Sequence, residues 1–250
     1  MQSIFLLLLF LSSSAFALVD IKPVTIGEKP GFTGHVALSL STKRGNTETD
    51  VYKGDVKLQF DNNTTHATWL ELAYSYGKAS DVENTNKSFT HLRHIHAITS
   101  KCFAFELFAQ TQQDKFRSIQ ARDLAGAGLR LRVADTKTFG EVYIGVGAYS
   151  EYINYDDPTL DPTEHNNRFS SYIAYSHTLG KDSSITYLGY YQPIYKNLGD
   201  FYTSQSLELK VNVYLELYLS IKVDYDADQS PALGREKEDF SQTTSFVWKF

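Results

Sequence analysis

Three histidines within six residues, His91, His94 and His96, are the densest set of candidate metal ligands in the chain. On an extended strand side chains alternate between faces, so His94 and His96 share one face and His91 takes the other. Two imidazoles do not complete a tetrahedral zinc site, and a third ligand would have to cross from another element. The better reading is polar side chains near an interface or in a lumen, and no metal is expected. Ser176-His177 is the one adjacent pair with the residue types of a hydrolase. No G-x-S-x-G turn accompanies it, so no catalytic residue is assigned. The stretch 155–164 carries Asp156, Asp157, Asp161 and Glu164. It could bind Ca²⁺ or bridge lipopolysaccharide through divalent ions, but the spacing is not that of an EF-hand loop and a solvated loop explains it better. One cysteine in 250 residues excludes an intramolecular disulfide and a Cys-based metal cluster. No cofactor is expected.

The elements that would position such residues are strands. Period-2 alternation recurs after residue 18, and helical periodicity is almost absent. In the clearest case Leu215, Leu217, Leu219, Ile221, Val223 and Tyr225 oppose Glu216, Tyr218, Ser220, Lys222, Asp224 and Asp226. About twelve such segments of about ten to twelve residues follow one another, beginning near residues 32, 50, 66, 88, 103, 122, 138, 168, 184, 201, 215 and 240. Strands of soluble proteins are usually about five or six residues long, and a strand crossing a bilayer needs about nine to eleven. The connections alternate between short and long, with 78–87, 154–167, 193–200 and 227–239 among the long ones. Bacterial outer-membrane barrels show that asymmetry. All six prolines are expected outside strand interiors.

Composition first argues the other way. Mean hydropathy is −0.31 and no run of eighteen apolar residues exists, so no helix can span a membrane. In a barrel only every second residue faces lipid, which dilutes the average without changing the surface. Tyr (17) and Phe (16) are abundant, which suits interfacial girdles. A net charge of −5 and an isoelectric point near 5.8 argue against a nucleic-acid partner. The fold expected is therefore all-β: a closed antiparallel up-and-down transmembrane barrel of about twelve strands. A soluble periplasmic barrel is the alternative.

Alternation assigns the lumen. Lys53, Asp55, Lys57, Glu71, Glu106, Arg130, Arg132, Glu141, Glu151, Arg168, Glu208, Lys210, Glu216, Lys222 and Asp224 are expected to point inward. Their signs are mixed. A lumen of one sign would focus ions of the other, whereas a balanced one forms cross-barrel ion pairs that fill it. A narrow or plugged barrel is favoured over an open pore. Arg122, Arg130 and Arg132 make the strongest local positive patch. Gly126, Gly128, Gly145 and Gly147 point into the same lumen and either leave space for a solute or admit large neighbours. The strand with His91, Arg93, His94 and His96 has no clear face assignment.

At the start of the chain, residues 4–11 are an unbroken apolar run followed by Ala15-Phe16-Ala17. A signal peptide over residues 1–17 is expected, with a barrel domain over 18–250. At the other end Phe246, Trp248 and Phe250 alternate with Val247 and Lys249. That pattern resembles the C-terminal signal that outer-membrane barrels present to their assembly machinery.

Residues spread along the chain carry a wider resemblance. They are Gly34-His35-Val36 to Ser41, Gly45-Asn46-Thr47, Trp69, the block from Gln110 to Arg130 containing Leu124-Ala125-Gly126-Ala127-Gly128, Tyr191-Gln192-Pro193, and the tail from Tyr225 with Pro231 and Asp239. In order and spacing they resemble a domain-of-unknown-function family of salt-induced outer membrane proteins. The resemblance implies the outer membrane of a bacterium and no reaction. The function expected is a non-enzymatic barrel, as a narrow channel or a component of the envelope's osmotic-stress response. Its expected partners are outer-membrane lipid, lipopolysaccharide and the barrel-assembly machinery. The alternatives are a structural or surface-binding barrel acting through its outer loops and, less favoured, an outer-membrane lipid hydrolase.

Overall fold

The computed structural model describes residues 23–43, 49–156, 163–180, 183–231 and 236–250, with backbone alone for 41–43. The expected signal peptide, 1–17, lies outside the described residues, as do Asp157 and Asp161 of the acidic stretch.

Alternating sequence becomes one sheet closed on itself. In chain order the strands are β1 (Gly31–Lys43), β2 (Thr49–Asp61), β3 (His66–Ala79), β4 (Val82–Ser100), β5 (Phe103–Asp114), β6 (Ile119–Thr136), β7 (Gly140–Tyr155), β8 (Thr163–Leu179), β9 (Ser183–Ile194), β10 (Asn197–Tyr214), β11 (Leu217–Asp228) and β12 (Glu238–Lys249). Each pairs antiparallel with its neighbours in sequence, and β12 returns to β1, from Leu38↔Phe246 to His35↔Lys249. The seam closes with two backbone bonds. The Gly34 N–H donates to the Phe250 carbonyl at 2.8 Å, and the Phe250 N–H donates to the Gly34 carbonyl at 3.0 Å. Pairing of the last strand with the first closes the sheet into a barrel, the form a sheet takes in an apolar solvent. The fold is the twelve-stranded antiparallel up-and-down barrel that the alternation implies.

One end of the barrel, here called the base, carries the turns 62–65, 101–102, 137–139 and 215–216 together with Gly31 and Phe250. The opposite end is the mouth. The two faces of the sheet invert the usual distribution of polarity. Among the described residues, buried side chains are mostly polar or charged, and Leu38, Val146, Leu207 and Ile221 are among many large apolar ones on the outside. Aromatic rings collect toward both ends of that outer face. Tyr52, Tyr74, Tyr191 and Phe240 lie near the mouth, and Phe32, Phe60, Tyr214, Phe246, Trp248 and Phe250 near the base.

The strands run from 12 to 19 residues, longer than the alternation alone marks. Two expected mouth loops are hairpin extensions instead. Residues 78–87 hold a two-residue turn at Ser80 and Asp81, both left-handed (φ 48° and 64°), the backbone that matches hairpin twist. Residues 193–200 likewise turn at 195–196. Polar side chains there mark solvent on both faces while the ladder continues. Pro193 is a second correction, because it lies within β9, opposite Phe201, where the β9–β10 register shifts. A local irregularity absorbs the ladder bond that proline cannot donate.

Candidate functional site

The lumen is the site, and its base is occupied by chain that the alternation did not mark. Residues 23–27 enter it from the base. Val24 and Ile26 are buried against Ala67 and Trp69 of β3 and Ile95 of β4. The Thr25 hydroxyl lies 2.7 Å from the Tyr143 hydroxyl and 3.3 Å from a Glu141 carboxylate oxygen. The Gly27 N–H donates to Asp61 Oδ2 at 2.7 Å, and the Arg130 guanidinium donates to the Val24 carbonyl. Gly27 sits at φ +83°, and a Cβ there would fall 2.9 Å from the Asn63 backbone carbonyl, so the turn favours glycine. Sequence held one signal of this plug: Ala67, Trp69 and Ile95 put an apolar patch on the inward face near the base.

Above the segment is a cavity of about 160 Å³ with Pro23 and Val24 in its floor. A second cavity of about 370 Å³ opens at the mouth. Both are lined by Gln112, Arg122, Tyr202 and Asp226, where the two cavities adjoin. Beside the mouth, Lys115 Nζ donates to Glu83 at 2.8 Å, and that bond holds the ammonium above its usual range.

The candidate lumen residues fall as follows. Lys53, Asp55 and Lys57 (β2), Glu71 (β3), Glu106 (β5), Arg130 and Arg132 (β6), Glu141 (β7), Arg168 (β8), Glu208 and Lys210 (β10), and Lys222 and Asp224 (β11) are on the inward face. Glu216 is not. It lies exposed in the β10–β11 turn, beside Leu215 at φ 46°, because the reversal interrupts the alternation that was extended through it.

Inward charges pair. Glu151 accepts from Arg122 at 2.6 Å and from Arg168 at 2.5 Å, joining three strands. Glu106 lies 3.7 Å from Arg130 and 3.9 Å from Arg93, and it accepts the Tyr172 hydroxyl at 2.9 Å. Lys57 pairs with Glu71 at 3.2 Å, Lys222 with Asp224 at 3.3 Å, Lys210 with Glu208 at 3.3 Å, and Arg132 with Glu141 at 3.6 Å at the base. Neighbours of opposite sign thus hold one another in the interior, where either alone would be costly.

Arg93 settles the face of its strand. With His91 it points inward, its guanidinium 5.2 Å from the Phe108 ring centre, 5.9 Å from Trp69 and 6.0 Å from Tyr172. His94 and His96 point outward near the base, beside His66 at 5.5 and 6.0 Å between ring centres. Among the described residues no group of three or more His, Cys, Asp or Glu side chains is placed to hold a metal ion. Ser176 faces inward and His177 outward, so the one adjacent Ser–His pair cannot act together.

Glycines make room for the rings. A Cβ on Gly145 would lie 2.0 Å from the Tyr172 ring, and one on Gly126 2.6 Å from both Phe108 and the Tyr149 Cβ. Gly128 and Gly147 face each other across β6 and β7. Of the two options sequence leaves open, Gly126 and Gly145 admit large neighbours, and at Gly128 and Gly147 a Cβ would meet only the backbone of the adjacent strand.

Fold and lumen together define an outer-membrane-type β-barrel with a charge-compensated, aromatic interior. The match is carried by residues 36–250, over which the chain fits the family model for a protein of unknown function, DUF481, and the chain belongs to that family. No curated protein matches it. Among solved structures, an outer membrane channel of the COG4313 group from Pseudomonas putida F1 is similar over 94% of this chain and 100% of that one, with a TM-score of 0.52 and 11% identity. That likeness shows the fold alone. The NanC porin is similar over 87% of this chain and 97% of that one, with a TM-score of 0.45 and 12% identity.

Proposed function

We propose that the protein is a non-enzymatic barrel of the bacterial outer membrane whose narrow lumen is shut at its base by the chain's own N-terminal segment. The observation that carries this reading is the seating of residues 23–27 inside the lumen, held by Asp61, Tyr143 and Arg130 at the base of the inner cavity. A twelve-stranded barrel is wider than the eight-stranded ones that side chains fill and narrower than the sixteen-stranded porins. In such a lumen a short peptide is enough to decide conduction. The apolar outer face with rings at both ends fits lipid, with lipopolysaccharide around the mouth and the short turns in the periplasm.

Planar-bilayer recordings test it. The refolded chain starting at residue 18 is expected to conduct rarely, and the same chain lacking residues 18–29 to conduct steadily at several-fold higher current. Equal conductance in the two would overturn the gate, and silence in both would mean a filled barrel. A finer form is a role in osmotic stress, supported by the family resemblance alone. An unchanged growth lag after a salt upshift in a deletion strain would count against it.

The C-terminal strand supports a second part of the reading, recognition by the barrel-assembly machinery. Phe246, Trp248 and Phe250 project from the outer face in one row, and the Phe250 ring covers Gly34, where a Cβ would meet it at 2.8 Å. Phe250→Ala is expected to refold in detergent yet to accumulate several-fold less in the outer membrane of cells. Normal cellular assembly would remove the proposal.

A further inference from the structure

The mouth of the lumen carries a charge pattern that the gate at the base does not use. We propose that the mouth cavity binds a small zwitterion, a solute with a carboxylate at one end and a primary ammonium at the other.

The placement of charge comes first. In the closed strand order β11 lies six strands from β5 in either direction, so the two stand on opposite walls. Among the described residues, the wall from β4 to β8 brings Lys87, Arg117, Arg122 and Arg168 to the mouth cavity, with Asp114 as its lining carboxylate. The wall of β11 and β12 brings Asp226, Asp228 and Asp239, and between those two strands Glu236 and Lys237 offset each other. Five cations and five carboxylates line the cavity, so its formal charge is balanced while its signs are separated across the lumen.

The partners of these groups keep the signs apart. One pair does cross the mouth, Arg117 reaching Asp239. Elsewhere each wall keeps to itself. Arg122 and Arg168 both donate to Glu151, so two guanidiniums share one carboxylate. Lys87 interacts more strongly with Asp114 of its own wall than with Asp226 of the other. Asp226 accepts the Tyr202 hydroxyl at 2.8 Å, and Asp228 accepts the Ser230 N–H at 3.0 Å. Both donors are uncharged, which leaves each carboxylate its full negative charge to offer a guest.

A zwitterion uses both walls. Guanidiniums take a carboxylate through paired, charge-assisted bonds, and an ammonium brings three donors to the acidic side. A solute with a single charge is drawn to one wall and repelled by the other, and a neutral one leaves the field unused. The space suffices. The cavity measures about 370 Å³, and about 150 Å³ already holds a benzene ring.

Calorimetry tests the site. The refolded chain starting at residue 18, in a non-ionic maltoside detergent, is titrated with glycine, 4-aminobutyrate and 6-aminohexanoate, which set the two charges progressively further apart. Butyrate and butylamine, with one charge each, are titrated in parallel. Saturable binding of at least one zwitterion is expected, about tenfold or more tighter than of either singly charged solute. Asp226→Asn keeps the shape and removes one charge. It should weaken the zwitterion about tenfold or more while keeping the heat-modifiable gel mobility of a folded barrel; Asp228→Asn serves if the first variant does not fold. No saturable binding of any of the three zwitterions, equal or tighter binding of butyrate or butylamine, or undiminished binding in the folded variant would each overturn the site. Heat reads binding rather than current, so a failed gate leaves this result standing, and a failed site leaves the gate.

Discussion

At the scale of single residues, Glu106 ties together side chains from three other strands of the lumen. Its carboxylate accepts the Tyr172 hydroxyl and faces the guanidiniums of Arg93 and Arg130, and Arg130 reaches on to the Val24 carbonyl of the N-terminal segment. Glu106→Gln keeps the shape and removes the charge, leaving two buried cations without an anion. Breaking a buried pair on one side costs about 3 kcal/mol or more, so the urea midpoint for unfolding from lipid vesicles should fall accordingly. A loss below about 1 kcal/mol would mean that water already screens the cluster. Sequence placed Glu106 and Arg130 on one face because their strands alternate cleanly. Arg93 was not placed, since polar His94 and His96 occupy the opposite face of the same strand and polarity no longer distinguishes in from out. Only the register Trp69↔Arg93 with the neighbouring strand resolves it. Glu216 was misplaced for the converse reason: the pattern looked unbroken across a turn.

At the scale of elements, the glycines of β6 and β7 decide how the interior is filled. Alternation alone showed that Gly126, Gly128, Gly145 and Gly147 point inward but not whether space or side chains lie above them. Volume on distant strands settles that, and volume has no local signature. Tyr172 from β8 lies over Gly145, and its hydroxyl is thereby carried to Glu106. Gly145→Ala must displace that ring, and overpacking of this kind costs about 1–3 kcal/mol. The expected result is a lower thermal midpoint with unchanged strand content by circular dichroism. Combined with Tyr172→Leu, the loss should be smaller than the sum of the single losses, because the two changes share one contact. Strict additivity would show that the ring moves aside freely. The N-terminal segment was equally hidden from periodicity. Residues 23–29 form neither helix nor strand, and what seats them is the apolar patch of Ala67, Trp69 and Ile95 on elements far along the chain.

For the whole molecule, the decisive question is which solvent meets the outer face. A barrel in water would carry polar side chains at Leu38, Val146, Leu207 and Ile221, all of which are well exposed. In a bilayer the same positions are at their most stable. The two cases separate by depth. Leu207 lies between the ring of aromatics near the mouth and that near the base, whereas Val82 sits at the tip of the β3–β4 hairpin, beyond Tyr74 and Asn86. An arginine facing lipid costs about 2–4 kcal/mol at the bilayer midplane and about 0–1 near the interface. Leu207→Arg should therefore reduce the folding free energy in phospholipid vesicles by about 3 kcal/mol, and Val82→Arg by less than about 1. In water both substitutions would relieve an exposed apolar side chain, and neither should destabilise the barrel. Equal, small effects at the two depths would remove the membrane from the account and, with it, the need for closure by anything other than packing. A graded loss would fix the apolar band between the girdles as the membrane-spanning part, with the mouth on one side of the bilayer and the base on the other.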